Sequence, residues 1–434
     1  MDNPEKKFDA HSHISRVIDS CRVCGFKNLI PILSLGDLFV SDFLGTDEAE
    51  ARRAPLELVL CNEKDGGCGL LQLKHTVSPK VMYRNYWYRS GMNKTMTDEL
   101  TDIAGKIESI ASLGSGDSVI DIGSNDGTLL RALRVPDLHR IGFEPARNIA
   151  EKYGREGITN VITDFFSYPA WQKEYGEKKA KAITAIAMFY DLDDPNTFVA
   201  DLVKCLDKDG CLIIQMLYLP SLLERNAFDG ICHEHLEFYS LSSFENLLRR
   251  HDLEVFDAEF RPINEGSYRF YIRHKDGGKN LKIDPKAAER VEKLRKEEKE
   301  LGLHDKKVYE EFVKRVNDIK EKTRDFVKSE VAKGKKIHAY GASTKGNTLL
   351  QFFGLEHPDI LAAADRNPDK WGLRTVGTSI PIVSEDASRA EADYFLILPW
   401  HFLKEFRERE SEFLKKGGKF IVPLPEFKIV SDEE

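Results

Sequence analysis

A strand, a glycine-containing loop and a helix follow one another at two places in this chain, and this repeated order limits the folds open to it. The first strand is the apolar run 118–122 and the second is 336–340. Further apolar strands alternate with helices after each of them, which is the pattern of parallel, doubly wound sheets. The sequence therefore predicts an α/β protein with two Rossmann-like sheets, and a Lys- and Glu-rich helical spacer from 285 to 336 between them.

The first loop carries acids where a phosphate-binding loop usually carries none. Asp121 and Asp126 flank it, and Glu144 ends the next strand about twenty residues on. The two aspartates would repel a pyrophosphate but suit a cationic ligand. An acid at the end of the second strand can accept both hydroxyls of a ribose. An NAD-type Rossmann domain is the alternative, and the lack of G-x-G-x-x-G in this loop disfavours it.

The ordered set D-x-G-x-N-D-G, F-E-P and D-F between 121 and 165 resembles the class I S-adenosylmethionine (SAM) methyltransferases. The resemblance implies that SAM is the cofactor and that it lies on this loop and on the ends of the strands that follow. The residues predicted to bind SAM are Asp121, Gly123, Ser124, Asn125, Gly127, Glu144, Asp164, Phe165 and Met188.

The second loop, 341–348, contains no acid and carries Lys345 among small hydroxyl residues. Backbone N–H groups, hydroxyls and one cation at a helix N-terminus suit a phosphate, although the spacing is not that of a P-loop. The alternative is a docking domain that binds no ligand. The predicted substrate contacts are Gly341, Ser343, Lys345, Gly346, Asn347, Asp365 and Arg366.

Four of the seven cysteines form two pairs near the N-terminus, Cys21 with Cys24 and Cys61 with Cys68. Two such turns, separated by about a hairpin, are how a zinc ribbon presents four thiolates. Four thiolates leave no open position, so the predicted zinc is structural, and it replaces a core that this segment is too short to form. The alternative is four buried free cysteines.

A His-Glu-His run, His233-Glu234-His235, follows the apolar strand 210–215. A metal site is one interpretation, but the H-E-x-x-H helical spacing is not met. A packed polar cluster without chemistry is a second. We favour an acid–base cluster, in which one histidine is the base and the neighbouring carboxylate sets its orientation and pKa.

The zinc-binding segment, the SAM core, H-E-H-L-x-F-Y-S at 233–240 and Y-G-A-S-T-K-G-N at 340–347 together resemble the sugar C-methyltransferase family over nearly the whole chain. The resemblance implies an enzyme that methylates a carbon of a nucleotide-linked 4-keto deoxysugar. It implies that His235 removes the proton beside the ketone, that Glu234 and His233 support it, and that the enolate attacks the SAM methyl group. The family's tyrosine motif maps to Tyr86 and Tyr88.

The chain departs from that family at two positions of the expected sugar pocket. Cys232 stands where the family has tyrosine, and Asp191 stands where it has histidine. These departures leave two alternatives, an O- or N-methyltransferase of a related sugar or glycan, and a SAM- or nucleotide-binding module without catalysis. An NAD(P) oxidoreductase role for the C-terminal sheet is disfavoured by Lys345 in a loop that lacks G-x-G.

Net charge and hydropathy argue against two kinds of partner, nucleic acid and membrane. A formal net charge of −8 over 434 residues argues against a general nucleic-acid binder. No stretch approaches ~18 consecutive apolar residues, and the first residues lack an apolar secretory core, so a cytoplasmic protein without membrane contact is predicted. The predicted domains are 1–80, zinc-binding; 81–280, methyltransferase; 281–335, helical linker; and 336–434, Rossmann-like.

Overall fold

The computed structural model describes residues 15–40, 43–45, 52–83, 86–264 and 266–433. The first residues of the chain, for which no secretory leader is predicted, lie outside these ranges. Within them, no helix combines the length and the apolar character that crossing a membrane requires.

The N-terminal unit is built on an antiparallel sheet with strand order β12-β5-β4-β2, in which β12 comes from much later in the chain. Alternation explains its central strand: Ala54, Leu56 and Leu58 are buried, while the residues between them are more exposed. The elements of this sheet and its neighbours are β1 (Ser15–Val17), β2 (Ile30–Phe39), β3 (Phe43–Leu44), β4 (Arg53–Leu60), β5 (Leu71–Leu73), β6 (His75–Val77), α1 (Pro79–Tyr83) and β12 (Glu237–Phe238).

The middle unit is a seven-stranded sheet with order β13-β14-β11-β10-β7-β8-β9 and helices on its faces. Every residue of β7 is buried, as expected for a central parallel strand covered on both sides. Strand β14 runs antiparallel to both of its neighbours. The elements are α2 (Lys94–Ile110), β7 (Ser118–Ile122), α3 (Thr128–Ala132), β8 (His139–Phe143), α4 (Arg147–Lys152), β9 (Asn160–Ile162), α5 (Tyr168–Tyr175), β10 (Ala180–Ile186), α6 (Pro195–Cys205), β11 (Leu206–Leu217), α7 (Leu219–Glu224), α8 (Leu241–Arg249), β13 (Leu253–Arg261) and β14 (Ser267–His274).

The predicted helical spacer is two helices, α9 (Ala287–Leu301) and α10 (Lys306–Ala332). Gly302 ends the first in a left-handed conformation with φ of +72°, which glycine adopts at little cost, and the Asp305 side chain caps the second. The buried face of α10 repeats at helical spacing, with Tyr309, Phe312, Val316 and Ile319.

The C-terminal unit is a six-stranded sheet with order β18-β16-β15-β19-β20-β21, parallel except for its last strand. Strand β15 begins the second strand–loop–helix pattern, as predicted. The elements are β15 (Ile337–Tyr340), α11 (Thr344–Phe353), β16 (Ala363–Asp365), β17 (Arg374–Thr375), β18 (Ile382–Ser384), α12 (Glu385–Arg389), β19 (Tyr394–Ile397), α13 (Leu403–Arg409), α14 (Ser411–Lys415), β20 (Lys419–Val422) and β21 (Lys428–Val430).

Two strand pairings join the units across long sequence distances. β12 pairs with β5, so a piece of the middle unit completes the N-terminal sheet. β3 pairs with β17, which joins the N-terminal unit to the C-terminal one. The side chain of Gln351 on α11 also exchanges two hydrogen bonds with the backbone of Phe39, at 2.8 and 3.1 Å. These two strand pairings and the hydrogen bonds of Gln351 therefore connect the N-terminal unit to both of the other units.

Candidate active site

A cavity of about 1120 Å³ lies where the three units meet. It is lined by the loops that follow β7, β8 and β10, by the segment that precedes α2, by the His-Glu-His loop and by the loop between β15 and α11. The carboxyl ends of parallel strands from two sheets thus open into one space, which is where ligands bind in doubly wound folds. The volume exceeds that of an ordinary single-ligand pocket.

Two carboxyl groups mark the methyltransferase side of the cavity. Asp121 lies near the end of β7 and Glu144 directly follows β8, and they are only 4% and 5% exposed. Burial raises the pKa of Asp121 to about 7, against the opposing effect of the hydrogen bond that the Thr184 hydroxyl donates to it at 2.6 Å. Burial also raises the pKa of Glu144. Its two oxygens accept the backbone N–H groups of Asn125 and Ala146, each at 2.7 Å, so its orientation is fixed.

The loop after β7 approaches the cavity closely because of one glycine. Gly123 has φ of +71°, and a Cβ there would lie 3.2 Å from Cγ of Met188. Among the residues that the structure describes, the buried hydroxyl of Ser124 has no hydrogen-bond partner. These groups form a cradle with space for a ligand and polar atoms that face it, and they fit SAM.

The other predicted cofactor residues divide between cavity and scaffold. Asn125 and Phe165 line the cavity. Asn125 also accepts the N–H of Ser90, which ties the segment before α2 to this loop. Gly127 is the N-cap of α3 with φ of +79° and lies behind the lining, where a Cβ would come within 2.5 Å of Ile158. Asp164 is exposed and accepts the N–H of the next residue, away from the lining.

The tautomer of His235 is set by its backbone partner. Its Nδ1 lies 2.7 Å from the carbonyl oxygen of Gly230, which can only accept, so Nδ1 donates and Nε2 carries the lone pair. The ring packs edge-on against Tyr190, with centroids 4.4 Å apart, and both residues line the cavity. An imidazole held in this tautomer can act as a base.

His233 faces the N-terminal unit. Its Nε2 donates to the carbonyl oxygen of Ala54 at 2.8 Å, and burial lowers its pKa to about 4, so it is neutral near pH 7. Backbone hydrogen bonds further along the chain join the same two units. The N–H of Leu73 donates to the carbonyl of Leu236 at 2.8 Å, and β5 pairs with β12. The His-Glu-His loop is thereby anchored to the zinc-binding sheet.

A polar cluster surrounds Glu234. Burial and Glu234 raise the pKa of Asp191 well above its usual range, and burial raises the pKa of the Cys232 thiol. Lys345 reaches into the same cluster from the C-terminal unit, where its charge opposes both of these shifts. Cys232 and Asp191, the two positions at which the resemblance predicts a departure, are therefore neighbours in this cluster.

Three tyrosines from the segment before α2 line the cavity at different depths. Tyr83, which the sequence analysis missed, donates to the carbonyl oxygen of Glu234 at 3.0 Å. Burial raises the pKa of Tyr83 well above its usual range, and the charge of Glu234 does the same for Tyr86. The predicted Tyr88 lies at the mouth, 45% exposed. The three-residue spacing of Tyr83 and Tyr86 was a signal that could have shown both as one aromatic pair, and their rings lie 6.1 Å apart.

The loop between β15 and α11 supplies the opposite wall. Gly341, Ser343 and Lys345 line the cavity, and Gly341 has φ of +89° where a Cβ would lie 2.6 Å from Pro399. Asp365 and Arg366 line the cavity too. The Asp365 carboxylate accepts the N–H of Ala342 at 3.0 Å, and the Arg366 side chain is exposed.

Two predicted substrate contacts lie behind this loop. Gly346 packs against Leu398 and donates its N–H to the Ser343 hydroxyl. The Asn347 amide is buried, donating to the carbonyl of Val376 and accepting the Thr378 hydroxyl. Both groups are occupied in shaping the loop.

The four cysteines of the N-terminal unit converge. The Sγ atoms of Cys21 and Cys68 are 3.6 Å apart, those of Cys24 and Cys61 are 3.4 Å apart, and all four lie within 4.8 Å of one another. They are not disulfide-bonded. Four thiolates at this spacing fit a closed tetrahedral zinc site.

The acid-flanked loop, the fixed carboxyl groups and the cavity at the carboxyl ends of the strands define a SAM-dependent methyltransferase. Residues 88–258 match a methyltransferase domain, residues 262–425 match a C-methyltransferase C-terminal domain, and residues 21–83 match a domain described as zinc binding. The chain is 31% identical over 424 residues to the C-methyltransferase NovU of Streptomyces niveus, covering 97% of this chain and 99% of NovU. The chain belongs to the C-methyltransferase family. The predicted α/β class, SAM and zinc are thus confirmed.

Solved methyltransferases resemble less than half of the chain. The mitomycin 7-O-methyltransferase MmcR has 18% identity and a TM-score of 0.33, covering 42% of this chain and 55% of its own. The plantazolicin methyltransferase BpumL in complex with SAH has 16% identity and a TM-score of 0.31, covering 41% and 83%.

Proposed function

We propose that this enzyme methylates the carbon next to the ketone of a nucleotide-linked 4-keto sugar, through an enolate. The observation that carries the proposal is the tautomer of His235. Its Nδ1 donates to the carbonyl oxygen of Gly230 at 2.7 Å, so the lone pair is on Nε2, and the residue lines the cavity. A base that removes a proton from carbon must be neutral, oriented and close to the cofactor. An O-methyltransferase has less need of one, since a hydroxyl loses its proton more readily than carbon does.

The groups around His235 suit the charge that such a reaction develops. A proton beside a ketone becomes acidic only when hydrogen-bond donors stabilise the enolate oxygen. The charge of Glu234 raises the pKa of Tyr86, and burial raises the pKa of Asp191, which favours the protonated, donating form of each. Both groups line the same cavity and are candidate donors to the oxygen, while Tyr83 donates its one proton to the backbone carbonyl of Glu234 and His235 receives the substrate proton.

The SAM side of the cavity positions the methyl donor. SAM supplies a methyl group on a positively charged sulfur, which a carbon nucleophile can accept. We assign Asp121 to the amino group of its methionine end and Glu144 to its ribose hydroxyls, because both carboxyl groups line the cavity and the second is held by two backbone donors.

The C-terminal loop is our candidate for the diphosphate of the sugar nucleotide. Ser343 and Lys345 stand at the N-terminus of the ten-residue helix α11, where the helix dipole favours an anion, and both line the cavity. Arg366 adds an exposed cation on the same wall. This loop faces the His-Glu-His loop, so a nucleotide held here would present its sugar to His235.

Product analysis tests the proposal. The enzyme would be incubated with methyl-labelled SAM and a panel of keto-sugar nucleotides, and the products read by mass spectrometry and carbon NMR. We expect one added methyl group on a carbon beside the ketone. A Glu144→Ala variant is the matched control, since it should weaken SAM binding and leave the base in place. Methylation at oxygen or nitrogen, or on acceptors without a ketone, would overturn the proposal.

A further inference from the structure

Three metal-ligating side chains meet on the cavity wall, apart from the four-cysteine site. Cys232, Glu234 and His235 each offer one ligand atom, and these atoms lie within 4.8 Å of one another. Cys232 and His235 are buried, Glu234 is half-buried, and all three line the cavity. We propose that they form a second metal site, which takes one divalent cation of the zinc type and opens toward the substrate.

The ligand types select the metal. A thiolate and an imidazole favour Zn²⁺ or a similar borderline-soft ion over Mg²⁺ or Ca²⁺, which prefer oxygen. Histidines that bind metals usually donate their other ring N–H to a carbonyl or carboxylate, and Nδ1 of His235 donates to Gly230 at 2.7 Å. Three protein ligands leave a fourth position open, unlike the closed four-thiolate site.

The spacing and number of the ligand atoms indicate how tightly each of the two sites would bind a metal. Zinc bonds of about 2.0–2.3 Å place tetrahedral ligand atoms about 3.3–3.8 Å apart. The paired sulfurs of the four-cysteine site are already 3.4 and 3.6 Å apart. The three triad atoms lie within 4.8 Å of one another, as the four sulfurs do, so small side-chain adjustments bring either set onto one ion. The triad offers three protein ligands with a single thiolate against four thiolates, so we expect its metal to bind more weakly and to be removable while the first remains.

The local charge also fits a divalent cation. The electrostatic neighbours of the Cys232 sulfur are Glu234, Lys345 and Asp191. With the thiolate formed, the negative charges of the sulfur and of Glu234 exceed the single positive charge of Lys345, so the group attracts a divalent cation. Buried charges are stable only when they are compensated in this way. Cys232 is one of the two positions at which we expect a departure from the sugar C-methyltransferases, and it supplies the only thiolate of the triad.

A metal at this site would switch the base off. Binding uses the Nε2 lone pair of His235, the same pair that receives the substrate proton, so metal and keto sugar compete. The competition rests on the proposed function, whereas the metal site itself does not.

Cobalt titration tests the site directly. Protein that holds its one tightly bound zinc would be titrated with Co²⁺, and thiolate-to-cobalt charge-transfer absorption recorded together with retained zinc. We expect one further equivalent in the wild type, and at least tenfold weaker binding in Cys232→Ala and in His235→Asn. Cys205→Ala is the matched control, since this thiol is buried in α6 away from the cavity, and its titration should be unchanged. Glu234→Gln keeps the side-chain shape and repeats the test if Cys232→Ala fails to fold. Absorption that is the same in Cys232→Ala overturns the site.

Inhibition tests the competition. Added Zn²⁺ should raise the KM for the keto-sugar nucleotide and not that for SAM, and a chelator should reverse the effect. Zinc that leaves the KM unchanged while cobalt still binds through Cys232 would overturn the competition. If sugar methylation fails altogether, the cobalt result still stands, so the two failures are distinguishable.

Discussion

Nε2 of His233 donates a hydrogen bond to the carbonyl oxygen of Ala54 at 2.8 Å, across 179 positions of sequence. The bond joins the loop that carries the proposed base to a central strand of the zinc-binding sheet. Two residues after His235, β12 (Glu237–Phe238) becomes an edge strand of that same sheet. The position of His235 therefore depends on a unit that contains none of the SAM residues.

Replacing His233 tests this anchoring role. The shorter side chain in His233→Asn does not reach Ala54, and a buried acceptor left unsatisfied costs about 1–3 kcal/mol. We expect a lower melting temperature and a kcat reduced by less than tenfold, with SAM affinity unchanged. A loss of kcat as large as that of His235→Asn, at normal stability, would instead place His233 in the chemistry.

Zinc should be required for catalysis more than for SAM binding. Metal analysis should find one tightly bound zinc per chain, and Cys21→Ser with Cys61→Ser should lose it. Because β5 holds β12, loss of zinc should release the His-Glu-His loop and abolish turnover, while the SAM loop stays in the middle sheet. Full retention of zinc in the double variant would contradict the site.

SAM binding should depend on pH through Asp121, whose pKa burial raises to about 7. Only the ionised carboxylate attracts the SAM amino group, so the Kd should fall as pH rises toward 7, by at most about tenfold per pH unit. The free energy of unfolding without SAM should instead fall as pH rises over this range. The folded carboxyl holds its proton above the unfolded pKa of 3.8, so its contribution is lost as pH rises from about 4 to 7.

Calorimetry of Asp121→Asn checks the pH dependence of SAM affinity and that of stability. The variant should bind SAM weakly at every pH, and its stability should lose the slope between pH 4 and 7. A wild-type Kd that is flat between pH 5.5 and 8 would remove Asp121 from the SAM site.

Lys345→Ala should raise the KM for the sugar nucleotide. Loss of a charged hydrogen bond costs about 1.5–3 kcal/mol, which is roughly 10- to 150-fold in affinity. SAM affinity should change little, because Asp121 and Glu144 belong to a different sheet. Lys293→Ala is the control, since this lysine is exposed on α9. Weaker SAM binding with normal sugar-nucleotide kinetics would reverse the assignment.

Local sequence patterns predicted the parts of the site that a single loop builds. A fully buried parallel strand requires an apolar run, and a close turn after it requires glycine, so 118–127 could be interpreted directly. The four cysteines were recognisable because zinc fixes their spacing. The split of the spacer at Gly302 also had a local signal, a glycine followed three residues later by the capping Asp305.

Contacts between distant segments could not be predicted in this way. The pairing of β12 with β5, and the approach of Lys345 to Asp191, join residues more than 150 positions apart and leave no periodicity in the sequence. The spacing of Tyr83 and Tyr86 could have indicated an aromatic pair, but the hydrogen bond from Tyr83 to the backbone carbonyl of the distant Glu234 could not be predicted. Asn347 looked like a loop ligand, yet its amide is used within the fold.

The central claim is that His235 removes a proton from substrate carbon. The most direct measurement is solvent deuterium incorporation into the keto-sugar nucleotide, with S-adenosylhomocysteine in place of SAM, followed by mass spectrometry. The wild type should exchange the proton next to the ketone. Folded His235→Asn, with normal zinc content and SAM affinity, should exchange about 10²–10⁴-fold more slowly, the usual cost of losing a general base. Exchange at the wild-type rate in this variant would contradict the account.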